Sequence, residues 1–324
     1  MKEFKDYVLR YGFILGKRVT EKQRKKFLTV AAQEFSQSSY EVVTTASKLE
    51  GGKGVQKSFY NLYSGDFSAA EIIVASYYDT PFKTFSLSKQ FAFENGYSQK
   101  NSCLNLLMGL GLVGATSLIY FFLLSPIINS YGFLSIPGLS TLLMMIAVFS
   151  CVINYRSGIP NKFNLVRNTS SLISIFIMAH KLPTELRRKV GFAFLDGGTT
   201  GSYGLTMLEN YLTKDKKRVL IYLDSLGNPG QLQLFYPPAQ MTREEKNKLT
   251  EYRSKNTETA PFINKLVNHQ GTQLKWLFLT AGIVNQKGQV LIKQANTRKD
   301  NQLNEEQLLI QIDELTKIVT RLLP

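Results

Sequence analysis

Two histidines, two cysteines and one tryptophan in 324 residues leave this chain little equipment for metal or redox chemistry. Cys103 and Cys151 are too few for a disulfide scaffold. Both stand in apolar segments, where thiols act as packing residues rather than ligands. His180 closes an apolar helix, and its cationic form suits a helix C-terminus. His269 lies in the polar stretch Asn268–Gly271. Neither has Cys, His or Glu at metal-ligand spacing. There is no Gly-x-Ser-x-Gly nucleophile elbow: Thr200-Gly201-Ser202-Tyr203-Gly204 comes nearest, with its first glycine one place late. The glycine-rich stretch 197–204 lacks the Gly-Lys-Ser/Thr ending of a phosphate loop. Basic and aromatic residues do not interleave as in RNA-binding motifs. The 39 Lys and Arg against 24 Asp and Glu give a net charge of +15, yet no motif makes nucleic acid an expected partner.

The most informative absence is of charge. From Asn101 to Tyr155, 55 residues contain no Lys, Arg, Asp or Glu, while the remainder of the chain is about 23% charged, as in an ordinary globular protein. A membrane helix needs roughly 20 mostly apolar residues, so the run is long enough for two. The spans are expected at about 104–127 and 134–153. Asn129, Ser130, Tyr131 and Gly132 are expected to form the turn between them, with Pro126 and Pro137 punctuating its ends. The competing reading, a helical hairpin buried in a soluble core, is the weaker one, because two consecutive uncharged stretches of spanning length are rare there. Lys83, Lys89 and Lys100 precede the hairpin and Arg156, Lys162 and Arg167 follow it, while its tip is uncharged. The positive-inside rule then places both flanks and both termini in the cytoplasm. The Phe13–Leu15 cluster is too short for the core of a signal peptide. The abundance of Lys, Asn and Gln is compatible with a bacterial source of low GC content.

Residues 1–100 and 156–324 are expected to form one water-soluble domain around the inserted hairpin at 101–155. Both parts are basic. Segment 1–26 holds nine basic and three acidic residues, and Phe4, Tyr7, Val8, Tyr11 and Ile14 recur at helical spacing. This reads as a basic amphipathic helix, either packed on the body or lying on anionic lipid. Tyr40–Ser47 and Ser58–Ser64 read as strands joined across Gly51–Gly54. Glu71–Ser76, Lys189–Leu195, Arg218–Leu223 and Trp276–Leu279 read as further strands. Ser170–His180, Gly204–Tyr211 and Glu305–Leu323 read as helices. Buried strands with helical crossovers predict a three-layer α/β sandwich with a central mixed sheet.

The order of polar residues at the ends of these elements carries more. One strand ends in Tyr77-Tyr78-Asp79-Thr80. Arg167-Asn168-Thr169-Ser170-Ser171 opens a helix. Another strand runs into Asp196-Gly197-Gly198-Thr199, and a third into Leu223-Asp224-Ser225-Leu226-Gly227. Asn296-Thr297-Arg298-Lys299-Asp300 stands near the end. This series resembles the zinc aminopeptidases of the M28 family, whose motifs are His-x-Asp, Asp-Asn-x-Ser-Gly, Asp-Gly-Glu-Glu, Asp-x-x-Gly and His-Thr-x-x-Asp in that order. The resemblance covers about residues 20–82 and 160–324 and implies the zinc-aminopeptidase-like fold. It also implies a degenerate site. Tyr77 stands for the first histidine ligand, Arg167 for the bridging aspartate, Gly198 and Thr199 for the Glu-Glu pair, and Asn296 for the last histidine. Asp79 and Asp224 match, and Asn168 keeps its place. Catalytic zinc typically needs three protein ligands and an open position, so no cofactor or metal and no peptidase activity are expected. Arg167 is expected near Asp224 and Asp79 in the place of the metal ions, against the alternative of a surface arginine.

The function expected is therefore a membrane-anchored, inactive aminopeptidase-like protein that binds another membrane protein as a scaffold subunit. Two alternatives stand beside it: an unconventional metallopeptidase, and a membrane-surface sensor that binds anionic lipid through its basic charge.

Overall fold

A computed structural model describes residues 2–51, 55–80, 82–83, 90–93, 99–132, 134–157, 159–199, 201–212, 216–237, 257–261, 274–293 and 298–323, together with 240, 242–244 and 247. The chain forms two compact units. The larger comprises 1–81, 89–96 and 161–324, and the smaller 82–88 and 97–160.

In the larger unit the strands are β1 (Val42–Gly51), β2 (Val55–Ser64), β3 (Ile72–Tyr77), and later β6 (Val190–Leu195), β7 (Arg218–Leu223), β8 (Gln231–Tyr236), β9 (Thr257–Pro261) and β10 (Leu274–Gly282). They make one sheet in the order β1-β2-β6-β3-β7-β10-β8-β9. The central four, β6-β3-β7-β10, run parallel. β2 and β8 join them antiparallel on either side. β3 and β6 are buried along their whole length, as a parallel sheet covered on both faces requires. Alternation sends Ile72, Val74, Phe192, Phe194, Ile221 and Leu223 into one core and Ile73, Ala75, Ala193, Leu195, Leu220 and Tyr222 into the other.

The first core is covered by the N-terminal helix α1 (Lys2–Tyr7), by α2 (Glu21–Gln37), α6 (Ser170–Lys181) and the closing helix α9 (Glu305–Leu322). The second is covered by α8 (Tyr203–Tyr211). A short turn of helix, α7 (Thr184–Arg187), leads into β6. The expected mixed three-layer α/β fold is what forms. Strands β8 and β9 and helices α2 and α7 were not expected.

Segment 1–26 is not one helix. α1 continues as a π-helical stretch, Val8–Ile14, and then stops. Thr20 and Gln23 form a capping box that starts α2 afresh. Phe4, Tyr7 and Tyr11 are buried as an ordinary packed helix demands, but Ile14 is 66% exposed and Leu15 is buried in its stead. The wider π turn delays the apolar stripe by one residue.

The smaller unit begins and ends on a two-residue ladder, β4 (Phe82–Lys83) against β5 (Ile159–Pro160). Within it α3 (Gln99–Ile119), a π-helical turn at Tyr120–Leu124 and α4 (Ser125–Tyr131) run on continuously. Beyond Gly132 the next helix is α5 (Ile136–Ser157). Gly109–Tyr131 is long and apolar enough to cross a membrane, and Ile136–Ser150 is a shorter apolar helix. Among the described residues one helix, not two, is thus long and apolar enough to span, and the turn lies later than expected. Asn129, Ser130 and Tyr131 are helical, and Gly132, at φ +80°, ends the helix. Pro126 lies within the apolar helix, in the first turn of α4. The preceding π turn accommodates the hydrogen bond proline cannot donate.

Candidate functional site

The parallel strands β3, β6 and β7 all end at the same edge of the sheet, where a ligand crevice forms in open α/β folds. Each delivers a carboxylate there: Asp79 two residues past β3, Asp196 directly after β6 and Asp224 directly after β7. All three are buried. Leu165–Thr169, a π-helical turn leading into α6, brings Arg167 and Asn168 to the same place.

Asp224 is engaged by protein donors. The Tyr77 hydroxyl donates to its Oδ1 at 3.1 Å and the Phe93 amide to its Oδ2 at 2.7 Å. The Ser225 hydroxyl stands between Asp224 Oδ1 and the Arg167 carbonyl, at 2.8 and 2.9 Å, and donates to one at a time. Phe93 adopts φ +61° to make its contact, a strained conformation for a bulky residue, and its ring packs on Phe278. Asp79 is held by the amides of Gly198 at 2.8 Å and Thr199 at 3.1 Å, and by the Thr199 hydroxyl.

Gly198 has no room for a side chain. A Cβ there would stand 2.6 Å from Tyr77 Cγ. Tyr77 therefore fills the space in front of Gly198 and turns its hydroxyl to Asp224. Burial raises the Tyr77 pKa, the Asp224 charge raises it further, and Arg167 lowers it. Burial raises Asp224 and Asp79 above the usual carboxylate range, against the hydrogen bonds each accepts.

Arg167 is buried, not on the surface. Its guanidinium stabilises the ionised forms of both Asp224 and Tyr77. Its loop is fixed by Asp300, which accepts the amides of Val166 and Arg167 at 3.0 Å each. Arg167 thus belongs to the site rather than to the basic flank of the apolar segment. Asn296 lies outside the described residues, as does His269.

Two further arginines complete the charge balance, and sequence reasoning missed both. Arg18 is fully buried. Its Nε donates to the Tyr78 carbonyl at 2.5 Å, and Nη1 to the carbonyls of Tyr11 and Leu15 at 3.0 and 2.8 Å. Its Nη2 donates to Asn168 Oδ1 at 2.6 Å and Thr169 Oγ1 at 2.9 Å. Asn168 in turn donates to the Tyr77 carbonyl at 2.7 Å, so it relays Arg18 to the strand that carries Tyr77. Burial pulls Arg18 down to about 9, against the attraction of Asp79, which leaves it charged at neutral pH. Arg24 on α2 pairs with Asp196 at 3.0 Å. Asp196 also accepts from the amides of Tyr60 and Gly197 at 3.0 and 2.8 Å. Burial and the nearby Asp79 push Asp196 up to about 6. Three guanidiniums, Arg18, Arg24 and Arg167, thus face three buried carboxylates.

These residues do not fit a zinc pair. Asp224 already accepts two protein donors, and Asp79 three. Among the described residues no three His, Cys, Asp or Glu converge as a metal would require.

The sequence matches no protein-family model and no curated protein. The fold does find likenesses among solved structures. A glutaminyl cyclase from Tannerella forsythia superposes with a TM-score of 0.60 at 11% identity, covering 98% of this chain and 97% of that one. A Zn-dependent exopeptidase from Parabacteroides distasonis gives 0.59 at 10% identity, covering 98% and 97%. BSAP, a zinc aminopeptidase from Bacillus subtilis, gives 0.58 at 10% identity, covering 99% and 94%. The chain therefore has the zinc-aminopeptidase-like α/β fold, shared by exopeptidases and glutaminyl cyclases.

Proposed function

We propose that the chain is a membrane-anchored, catalytically inactive aminopeptidase-like protein that serves as a binding or scaffold subunit of a membrane protein complex. The observation that carries the inactive half is the Tyr77 side chain. It occupies the space before Gly198 and is hydrogen-bonded to Asp224, so the crevice at the strand ends is filled by the protein itself. Gly198 and Thr199 stand where the resemblance puts the family's glutamates, so the general base of that family is not supplied from this turn. Arg167 supplies the positive charge that metal ions supply in the enzymes. A fixed guanidinium beside a buried carboxylate holds structure but leaves no open coordination position.

The anchored half draws support from Gly109–Tyr131 and Ile136–Ser150. Read as a hairpin of two spans, they leave both termini and the larger unit on one side, the cytoplasmic side by the distribution of Lys and Arg. The β4–β5 ladder, which brings the two ends of the smaller unit together, agrees with a return to the same side. Uncharged spans line no ion pathway, which favours a holding role over transport.

Affinity purification of the full chain from native membranes in mild detergent, followed by zinc analysis and assays for aminopeptidase and glutaminyl cyclase turnover, tests both halves. A stoichiometric membrane-protein partner with no zinc and no turnover is expected. Stoichiometric zinc with turnover would replace this reading by the metallopeptidase alternative. A lone, zinc-free protein would remove the scaffold role.

A further inference from the structure

Leu9, Phe13 and Ile14 form an apolar patch on the larger unit, 55%, 56% and 66% exposed, although Phe4, Tyr7 and Tyr11 of the same segment are buried. The segment is thus amphipathic in both senses: one face packs on the core and the other presents large hydrophobic side chains to the surroundings. Leu165 and Leu303 extend the patch as walls of a shallow groove that also holds Lys5 and Glu305.

The position of this patch along the chain's connections gives it meaning. The Arg18 amide donates to Thr80 Oγ1 at 2.9 Å, and Thr80 is the residue before Pro81, the last of the larger unit before the chain passes into the smaller. The Asn164 side chain donates to the Gly16 carbonyl at 2.8 Å, and Asn161 is where the chain returns. Residues 16–18, which follow directly on Phe13 and Ile14, are therefore pinned between the outward and the returning crossing. Only three residues, 158–160, separate Ser157, the last of α5, from Asn161 in the sequence.

We infer that Leu9, Phe13 and Ile14 insert into the interface of an anionic bilayer, with Lys17 and Lys162 against its headgroups. The inference rests on the membrane reading of residues 97–160 for its setting and on the patch itself for its chemistry. Apolar side chains flanked by exposed lysines are the pattern of an interfacial helix, and juxtamembrane lysines are attracted by anionic lipid. Arg298 and Lys299 lie on the turn whose Asp300 fixes Val166 and Arg167 and add to the basic rim. Glu3 and Asp6 on α1, and Glu305 and Glu306 in the first turn of α9, are acidic groups on the elements beside the patch. Arg10, also exposed, is engaged with Glu34 at 2.7 Å.

The test uses the full chain with Cys103→Ser and Cys151→Ser, reconstituted into phosphatidylcholine vesicles with and without phosphatidylglycerol. An environment-sensitive fluorophore is placed on Phe13→Cys, and in a control on Thr206→Cys of α8, which covers the opposite face of the sheet. Blue-shifted emission and several-fold quenching by headgroup-depth spin-labelled lipid are expected at 13 and not at 206. Both effects should be stronger with phosphatidylglycerol and weakened by Lys17→Glu with Lys162→Glu. Resistance to alkaline carbonate extraction, measured on the same vesicles, reports separately on the apolar helices. A carbonate-resistant protein whose probe at 13 is as water-exposed as at 206 overturns the inference and leaves the anchor standing. An extractable protein whose probe at 13 still enters anionic vesicles overturns the anchor and upholds the inference. Extraction together with a water-exposed probe overturns both.

Discussion

Tyr77 and Gly198 share one space: the ring of the first lies where any side chain on the second would have to stand, with Cγ 2.6 Å from the place of a Cβ. The two residues come from different strand ends, β3 and β6, and their sizes are complementary. Gly198→Ala should therefore destabilise the larger unit by about 1–3 kcal/mol through overpacking. Tyr77→Gly, which removes the Cβ that stands nearest as well as the ring, should relieve part of that cost. A double-mutant cycle on thermal unfolding of the full chain measures it, and additive effects would show that the two sites are independent.

Tyr77→Phe keeps the ring and removes the hydroxyl that Asp224 accepts. Hydrogen bonds to charged groups contribute about 1.5–3 kcal/mol, and a loss of this order is expected in chemical denaturation. No zinc binding is expected in this variant, because the ring still fills the crevice. Isothermal titration with zinc checks that.

Arg167→Ala leaves Asp224 buried without the cation that favours its ionised form. Removing one partner of a buried pair typically costs about 3–5 kcal/mol, so a clear fall in melting temperature is expected. An unchanged melting temperature would end the idea that Arg167 takes over the structural role of a metal.

Arg18→Lys keeps a positive charge but cannot present five donors in a planar fork. Carbonyls at Tyr11, Leu15 or Tyr78 would then lose their donor. A cost of about 2–4 kcal/mol is expected, since each buried polar group left unsatisfied costs ~1–3 kcal/mol. Hydrogen exchange should rise around residues 77–80 and 164–169, which Arg18 ties together.

Asp196 makes stability depend on pH in an unusual direction. Its folded-state pKa, about 6, lies above the ordinary 3.8, so the folded protein binds the proton more tightly than the unfolded chain does. The cost of keeping Asp196 ionised is present in full above about pH 7, is relieved as pH falls through 6, and is gone near 4. Asp79 and Asp224 are shifted the same way. Between pH 8 and pH 5 the larger unit should gain about 1–3 kcal/mol. Asp196→Asn should flatten that slope in denaturant midpoints measured across the range.

Much of the fold could be read from local pattern. β3, β6, β7 and β10 are apolar runs bounded by polar turns, and α9 shows its stripe plainly. α2 is hard to separate from what precedes it, because Lys22, Arg24, Lys25 and Lys26 continue the basic run of segment 1–26. β8 mixes polar and apolar residues, and β9 is only Thr257–Pro261. The strand ends carrying Asp79 and Asp224 were legible through family resemblance alone. Arg18 was not legible by any means, since its partners are carbonyls and side chains at residues 11, 15, 78, 168 and 169, gathered only by folding. Asp196 and Asp300 stood within quoted motifs, but their work is to hold backbone amides, and no spacing announces that.

The Phe93 amide bound to Asp224 turns the filled crevice into the fixed end of a tether. Six peptide units separate Phe93 from Gln99, where α3 begins, and they can reach about 20 Å at full stretch. Any pull that reaches Phe93 along those residues is met by its 2.7 Å contact with Asp224, so a buried carboxylate at the end of β7 secures one end of the segment that leads into α3.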